Sequence, residues 1–178
     1  MKTLVITQDL LNANGEYIGA DEVSQFDGHI EIAADLGVVK FSAGLRATGR
    51  IRSGAGSGIK AGEGIKAGWG IKAGSGIEAG DGIEAGDGIE AGSGIEAGEG
   101  IKAGEGIEAG GGIKAGLSIN SKTVAAGLRI FAGLYMWRIP EPQEMEIKAE
   151  LRGGTIAHGN HVTEATKAVP AGDKEAAA

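Results

Sequence analysis

The sequence GSGIKAGEGIKAGWGIKA at residues 56–73 begins ten consecutive hexads of the form Gly-x-Gly-Ile-x-Ala, which continue without a change of register to Ala115. Isoleucine and alanine stand two positions apart in every hexad. In extended backbone, both side chains therefore face one side of a strand, and the residue between them faces the other side. The block predicts short Gly-Ile-x-Ala strands joined by Gly-x corners, where glycine permits a positive φ or a close approach of two backbones.

The repeat excludes two other glycine-rich structures. Glycine recurs at alternating spacings of two and four residues, whereas a collagen triple helix needs glycine at every third position. In an α-helix, isoleucines six residues apart would lie on three faces, and two glycines per hexad would destabilise the helix. Disorder is the remaining alternative for a low-complexity segment. The regular isoleucine and alanine positions favour a stacked structure, because such repeats bury a continuous core.

Three hexads, or 18 residues, are predicted to form one coil of the stack. At this period the variable corner positions fall into three columns, which are Ser57, Ser75, Ser93 and Gly111; Glu63, Asp81 and Glu99; and Trp69, Asp87 and Glu105. Opposite charges also meet on neighbouring coils, as at Lys60 and Glu78, whereas a 12-residue coil would stack Lys60 on Lys72. The sequence therefore predicts an all-β, single-chain β-solenoid with triangular coils, capped at both ends.

The hexads resemble those of the hexapeptide-repeat left-handed β-helix family, whose triangular coils are also built from three hexads. The resemblance covers the middle third of the chain strongly and the flanks weakly. That family places a large aliphatic residue four positions before a small one, whereas here Ala61 precedes Ile65 by four. Many members of that family are acyltransferases. The resemblance implies that an acyltransferase of this kind would have a histidine near an extruded loop and would bind an acyl carrier at the coil edges. The block 56–115 has no histidine and no such loop.

Less regular segments flank the hexads and complete the predicted organisation. The expected regions are an N-terminal cap at 1–27, a solenoid of about six coils at 28–137, C-terminal strands or a cap at 138–162, and a flexible tail at 163–178. Caps are expected because the open sheet edges of a solenoid invite polymerisation. Phe131, Tyr135 and Trp137 are predicted to close the core at the C-terminal end.

Composition and charge set the wider limits. The chain has 178 residues, a net charge of −7 and no cysteine, which predicts one domain without disulfides or thiolate metal sites. We find neither the apolar region of a signal peptide nor a run of transmembrane length, so the expectation is a soluble cytoplasmic protein. The ten hexads hold five lysines against eight glutamates and two aspartates, a net charge of −5.

Charged and aromatic side chains on the outer surface are the candidate partner-binding residues. Trp69 is predicted to lie at an exposed corner, and an exposed tryptophan is a frequent anchor in protein interfaces. Acidic residues of the hexads and an arginine strip just before them supply the remaining candidates, which are Asp81, Glu84, Asp87, Glu90, Glu96, Arg46, Arg50 and Arg52. We expect the partner to be a protein rather than nucleic acid or a membrane. We expect no cofactor, and these features are compatible with a homodimer.

Two histidines near the C-terminus form the alternative site. His158, His161 and Glu164 give the pattern His-x-x-His-x-x-Glu, whose side chains are of the kind that bind divalent metals. The spacing differs from the His-Glu-x-x-His of zinc proteases, and the Gly-Asn between the histidines favours a turn. The pattern is therefore a weaker indication of function than the outer surface of the hexads.

Several functions are compatible with these features. The preferred hypothesis is a non-enzymatic interaction protein, a rigid acidic β-solenoid that binds a macromolecule through its flat faces. A more specific version is a mobile-element inhibitor of a nucleic-acid-handling complex, which would act by mimicking the charge of DNA. The alternatives are a self-assembling structural solenoid, similar to bactofilins in its repeated strand and turn pattern, and an acyltransferase-like or metal-dependent enzyme.

Overall fold

A computed structural model describes residues 1–163, so that the predicted tail beyond Thr163 and the candidate ligand Glu164 lie outside the described residues. The chain forms a parallel β-solenoid of about seven turns with roughly 18 residues per turn, which confirms the predicted fold class and coil size. Its strands are β1 (Lys2–Ile6), β2 (Gly28–Ile32), β3 (Gly37–Phe41), β4 (Leu45–Ala47), β5 (Ile51–Ser53), β6 (Ser57–Ala61), β7 (Ile65–Ala67), β8 (Ile71–Ala73), β9 (Ile77–Ala79), β10 (Ile83–Ala85), β11 (Ile89–Ala91), β12 (Ile95–Ala97), β13 (Ile101–Ala103), β14 (Gly106–Ala109), β15 (Ile113–Ala115), β16 (Ile119–Phe131), β17 (Glu146–His158) and β18 (Asn160–Val162). Two short 3₁₀ helices occupy Gln8–Leu10 and Pro142–Met145.

The strands stack on three faces, which we number in the order that the hexads visit them. Face 1 contains β3, β6, β9, β12 and β15. Face 2 contains β4, β7, β10 and β13, and face 3 contains β2, β5, β8, β11 and β14. Strand β1 extends face 3 beside β2, and the long strand β16 pairs with the last hexad strand of every face. Strand β17 then covers β16.

The core consists of stacked isoleucines and alanines. Ile65, Ile83 and Ile101 align on face 2, and Ala67 and Ala85 align beside them in the same register. The hexad isoleucines and alanines are all buried. Each full burial of an isoleucine side chain contributes roughly 1.5–3 kcal/mol, which explains how strands of three residues persist.

Close contact between coils explains the first glycine of each hexad. A Cβ atom on Gly98 would lie 1.9 Å from the carbonyl oxygen of Gly80 in the preceding coil. Gly104 meets the carbonyl of Gly86 at the same distance. Gly56 is the one hexad glycine among the described residues with a positive φ, so close backbone approach rather than a left-handed conformation selects glycine at these corners.

Two buried serines connect the irregular first coils to the regular hexads. Ser57 Oγ donates to the carbonyl of Ala33 at 2.7 Å and accepts from the amide of Leu36 at 3.0 Å. Ser53 Oγ donates to the carbonyl of Ser57 at 2.7 Å. These bonds satisfy buried polar groups next to Asp35, which adopts a φ of 60°.

The prediction that three aromatic residues close the C-terminal end of the core is wrong. Ile130 pairs with Ile113 and points inward, so the next residue, Phe131, aligns with the outward Lys114. Trp137 is 84% exposed, and Tyr135 is half-buried. The end of the core is filled instead by small and aliphatic residues, namely Ile130, Ala132, Ile147 and Ala149.

Candidate functional site

Each flat face carries a row of charged residues from the strand centres. The rows are Lys40, Lys60, Glu78, Glu96 and Lys114 on face 1; Arg46, Lys66, Glu84 and Lys102 on face 2; and Glu31, Arg52, Lys72, Glu90 and Glu108 on face 3. Neighbours in a row belong to successive coils, about 4.8 Å apart. Their charges therefore act on one another directly.

Ion pairs neutralise most of the charge on these faces. The hexad lysines all contact glutamates of adjacent coils, at 2.6 Å for Lys60–Glu78, Lys66–Glu84 and Lys72–Glu90, 2.5 Å for Lys114–Glu96 and 4.0 Å for Lys102–Glu84. A hydrogen bond from Lys66, with smaller charge effects of Lys66, Lys102 and Arg46, lowers the pKa of Glu84. The faces are therefore mixed in charge rather than uniformly acidic.

The sequence-predicted partner-binding residues divide among the three faces. Five of them line one groove on face 3, namely Arg50, Arg52, Trp69, Asp87 and Glu90. Arg46, Asp81 and Glu84 line a groove on face 2, and Glu96 lies on face 1. Glu84, Glu90 and Glu96 consequently share no surface, although they occupy equivalent positions in the repeat.

The face 3 groove has a volume of about 630 Å³. Gly70, Gly88 and Gly106 line it, and the absence of side chains at these positions leaves a trough between the corner residues and the strand-centre row. Cationic residues occupy its N-terminal coils, at Arg50, Arg52 and Lys72, and carboxylates occupy the following coils, at Asp87, Glu90 and Glu108. Arg152, which pairs with Glu150, lies at its C-terminal end. Arg52 forms no salt bridge within residues 1–163. The groove is therefore polarised along the solenoid axis.

Trp69 is the main apolar side chain of the groove and is 47% exposed. Its ring packs against His29, with centroids 5.0 Å apart and planes inclined by 58°. The amide of Arg50 donates to His29 Nδ1 at 3.0 Å, and Arg50 Nη2 contacts Glu31 at 2.6 Å. These contacts hold the indole in a defined position while leaving half of it open to a partner.

An acidic ridge runs along the corner between faces 1 and 2. Glu63, Asp81 and Glu99 stack there through backbone hydrogen bonds, with Asp81 N to Glu63 O at 3.5 Å and Glu99 N to Asp81 O at 3.2 Å. Within residues 1–163, none of these three carboxylates takes part in a salt bridge. Three of the five hexad carboxylates without a salt bridge among the described residues therefore lie at this corner, and the other two, Asp87 and Glu108, line the face 3 groove.

A second exposed surface, which we name the knob (Leu134–Ile139), lies beside this ridge. Met136, Trp137 and Ile139 are 86%, 84% and 90% exposed. Sequence reasoning missed the knob, although a signal exists. Three large apolar residues fall within four positions before Pro140, without the alternation that would direct them into a core.

The two C-terminal histidines bind backbone carbonyl groups. His158 Nδ1 lies 2.6 Å from the oxygen of Ala132, and His161 Nε2 lies 2.8 Å from the oxygen of Ala149. A carbonyl oxygen only accepts hydrogen bonds, so His158 Nδ1 and His161 Nε2 each carry a proton and donate it. Within the part of the chain that the structure describes, no group of three or more His, Cys, Asp or Glu residues is arranged to hold a metal ion.

Comparisons with protein-family models, with curated protein sequences and with solved structures gave no match. The resemblance to hexapeptide-repeat proteins therefore rests on the hexads themselves. Among residues 1–163, no helix has the length and apolarity needed to cross a bilayer.

Proposed function

We propose that the chain is a non-enzymatic interaction protein, a rigid β-solenoid that binds a macromolecular partner through the face 3 groove. The groove around Trp69 carries this proposal, because it combines a held aromatic side chain with Arg52, which forms no salt bridge within the described residues. Tryptophan and arginine dominate the energetics of protein interfaces. A prearranged surface also loses little conformational entropy on binding.

The chain resembles hexapeptide-repeat β-helix proteins in its architecture, but the proposed function does not include the acyl transfer that many members of that family catalyse. The regular hexads follow one another without an extruded loop, and no histidine lies between Gly56 and Ala115. His158 and His161 support metal chemistry poorly, since within residues 1–163 they belong to no group of three or more His, Cys, Asp or Glu residues that could hold a metal ion. Binding is therefore favoured over catalysis.

Inhibition by DNA mimicry is supported less well than binding through the groove. A mimic needs an extended array of negative charge, whereas Glu78, Glu84, Glu90 and Glu96 are all paired with lysines. The acidic ridge supplies only a short array of three carboxylates, Glu63, Asp81 and Glu99.

A capture experiment with matched variants tests the proposed function. The test variant combines Trp69→Ala with Arg52→Glu, and the control is Lys40→Glu, which places the same charge change at the equivalent strand centre of face 1. From a bacterial lysate, we expect wild type and the control to retain the same protein and the test variant to lose it. Retention by the test variant would exclude the groove as the binding site.

A further inference from the structure

The knob is an apolar surface that the structure holds in place. Arg138 donates two hydrogen bonds to the Glu144 carboxylate, at 2.5 and 2.6 Å, and stacks 5.5 Å from the centre of the Tyr135 ring. At its base, the amide of Gly133 donates to Leu117 O at 3.0 Å. Exposed apolar residues are ordinary when scattered, but a group of three at a fastened tip indicates an interaction site.

The charged residues beside the knob limit the kind of surface that can bind it. Met136 and Trp137 share a depression with Asp81 and Glu99 of the acidic ridge. Glu96 and Lys114 line the same depression and neutralise each other. The complementary surface is therefore an apolar pocket bordered by cations.

The N-terminal end of the face 3 groove of the same chain has this chemistry, whereas Asp87, Glu90 and Glu108 line its later coils. It offers the half-exposed Trp69 next to Arg50 and Arg52, and its volume of about 630 Å³ lies within the range of pockets that enclose organic ligands. The knob lies at the corner between faces 1 and 2, and the groove lies on face 3, so the two surfaces of one molecule do not meet. A knob that occupies the face 3 groove therefore belongs to a second copy of the chain.

We propose that the knob of one copy binds the face 3 groove of another, with Trp137 against Trp69 and the acidic ridge beside Arg52. This inference rests on the proposed function because it assigns an occupant to the same groove. The contact is heterologous, since it joins different surfaces of the two copies. Each bound copy still presents a free groove or a free knob, so association continues beyond the dimer.

Two other occupants of the knob fit the charges less well. A symmetric knob-to-knob contact would bring Asp81 and Glu99 of both copies together, and like charges oppose association. Membrane-inserting apolar tips are accompanied by lysine and arginine that contact anionic lipids, whereas the ridge beside this knob is acidic.

The test uses two variants that each lose one half of the contact. The knob variant carries Trp137→Ala, and the groove variant carries Trp69→Ala with Arg52→Glu. In sedimentation equilibrium, we expect the wild-type average mass to rise with concentration past that of a dimer, and each variant alone to remain monomeric. A mixture of the two variants should form a 1:1 complex and stop there, because it contains one working knob and one working groove.

Leu128→Ala is the matched control, because Leu128 is a 67% exposed apolar residue that lines neither surface. It should associate as wild type does, whereas Trp137→Ala should weaken association at least about tenfold, as for aromatic anchors of interfaces. Circular dichroism checks that every variant is folded. Arg52→Glu alone replaces the double groove variant if the latter does not fold.

Three results would overturn the self-association. The first is a groove variant that dimerises alone, which would assign the knob to a symmetric contact. The second is a monomeric wild type that binds phosphatidylcholine vesicles with a blue shift of Trp137 fluorescence. The third is a wild type that stays monomeric and does not bind vesicles. In each case, loss of the lysate partner by the groove variant would still support the proposed function, and only its retention would exclude that function.

Discussion

The Trp69 indole packs on the His29 imidazole, with 5.0 Å between the ring centroids, because Gly49 lies in the intervening coil and has no side chain. The amide of Trp69 donates to Gly49 O at 3.1 Å, and the amide of Gly49 donates to Gly28 O at 2.8 Å. Three successive coils thus cooperate to position one exposed aromatic ring. The main apolar feature of the candidate groove depends on a residue outside the regular hexads.

Gly49→Ala should release Trp69 from this position. A Cβ atom at residue 49 would lie 2.1 Å from His29 Nδ1, so the imidazole has to move away from the indole. In a Trp137→Phe background, which leaves Trp69 as the single tryptophan, we expect stronger quenching of its fluorescence by acrylamide. Gly153→Ala is the control, because its nearest neighbours lie at an ordinary 3.7 Å. Equal quenching in both variants would contradict the stacking.

The isoleucine ladder should respond to truncation according to the volume removed. Ile83 is 1% exposed and lies between Ile65 and Ile101. We expect Ile83→Val to lower the free energy of unfolding by about 0.5–1.5 kcal/mol and Ile83→Ala by about 2–5 kcal/mol. Urea denaturation measures both values. The exposed Leu128→Ala should change the same quantity by less than about 0.5 kcal/mol, and a similar loss there would argue against a ladder-specific effect.

The repeat predicted the interior of the solenoid, because its inward isoleucines and alanines and its glycines recur in every hexad. Isoleucine over isoleucine and glycine against a neighbouring backbone follow directly from an 18-residue period, as Ile83 and Gly98 illustrate. The same period predicted the charge pairs of the strand centres, such as Lys66 with Glu84. Periodicity is sufficient where every coil repeats the same contact.

The exposed surfaces were harder to predict, because they depend on departures from the repeat. To predict the contact of Trp69 with His29, one must know that Trp69 follows Gly49 of the adjacent coil by 20 residues, which is two more than the 18-residue period. The outward position of Trp137 follows from the path of the chain after β16 rather than from any alternation. Sequence spacing also made Glu84, Glu90 and Glu96 look alike, although a triangular coil sends them to three faces.

Charge reversal within one row should change stability in opposite directions at two glutamates. Glu84 lies between Lys66 and Lys102, so Glu84→Lys creates a row of like charges and should be destabilising. Glu108 follows Glu90, which in turn pairs with Lys72, so Glu108→Lys should relieve a repulsion and be stabilising. Each effect should be roughly 0.2–1 kcal/mol in urea denaturation at low salt.

Salt provides the control for this pair of variants. Because the charges are exposed, about 1 M salt should bring both variants close to wild type. A shift of the same sign in both variants, or one that persists at high salt, would show that packing rather than charge determines the result.

Protonation of Glu144 should loosen the knob, but only in strong acid. The two hydrogen bonds from Arg138, together with the amide of Glu141, lower the pKa of Glu144 to about 2 from its ordinary 4.5. A group whose pKa is lower in the folded state stabilises that state above the unfolded pKa and loses its effect as the pH falls through the folded pKa. The ordered knob should therefore be intact at pH 4.5 and lose this support as the pH approaches 2.

An NMR titration of the Glu144 carboxyl carbon measures this midpoint directly. In Arg138→Gln the midpoint should move up toward 4.5, because the principal cause of the lowered pKa is removed. Arg152→Gln is the matched control, since Arg152 pairs with Glu150 and should leave the Glu144 midpoint unchanged. A midpoint that stays near 2 in Arg138→Gln would mean that Arg138 does not fasten the knob, and the prearranged tip that we propose for self-association would then lack its main support.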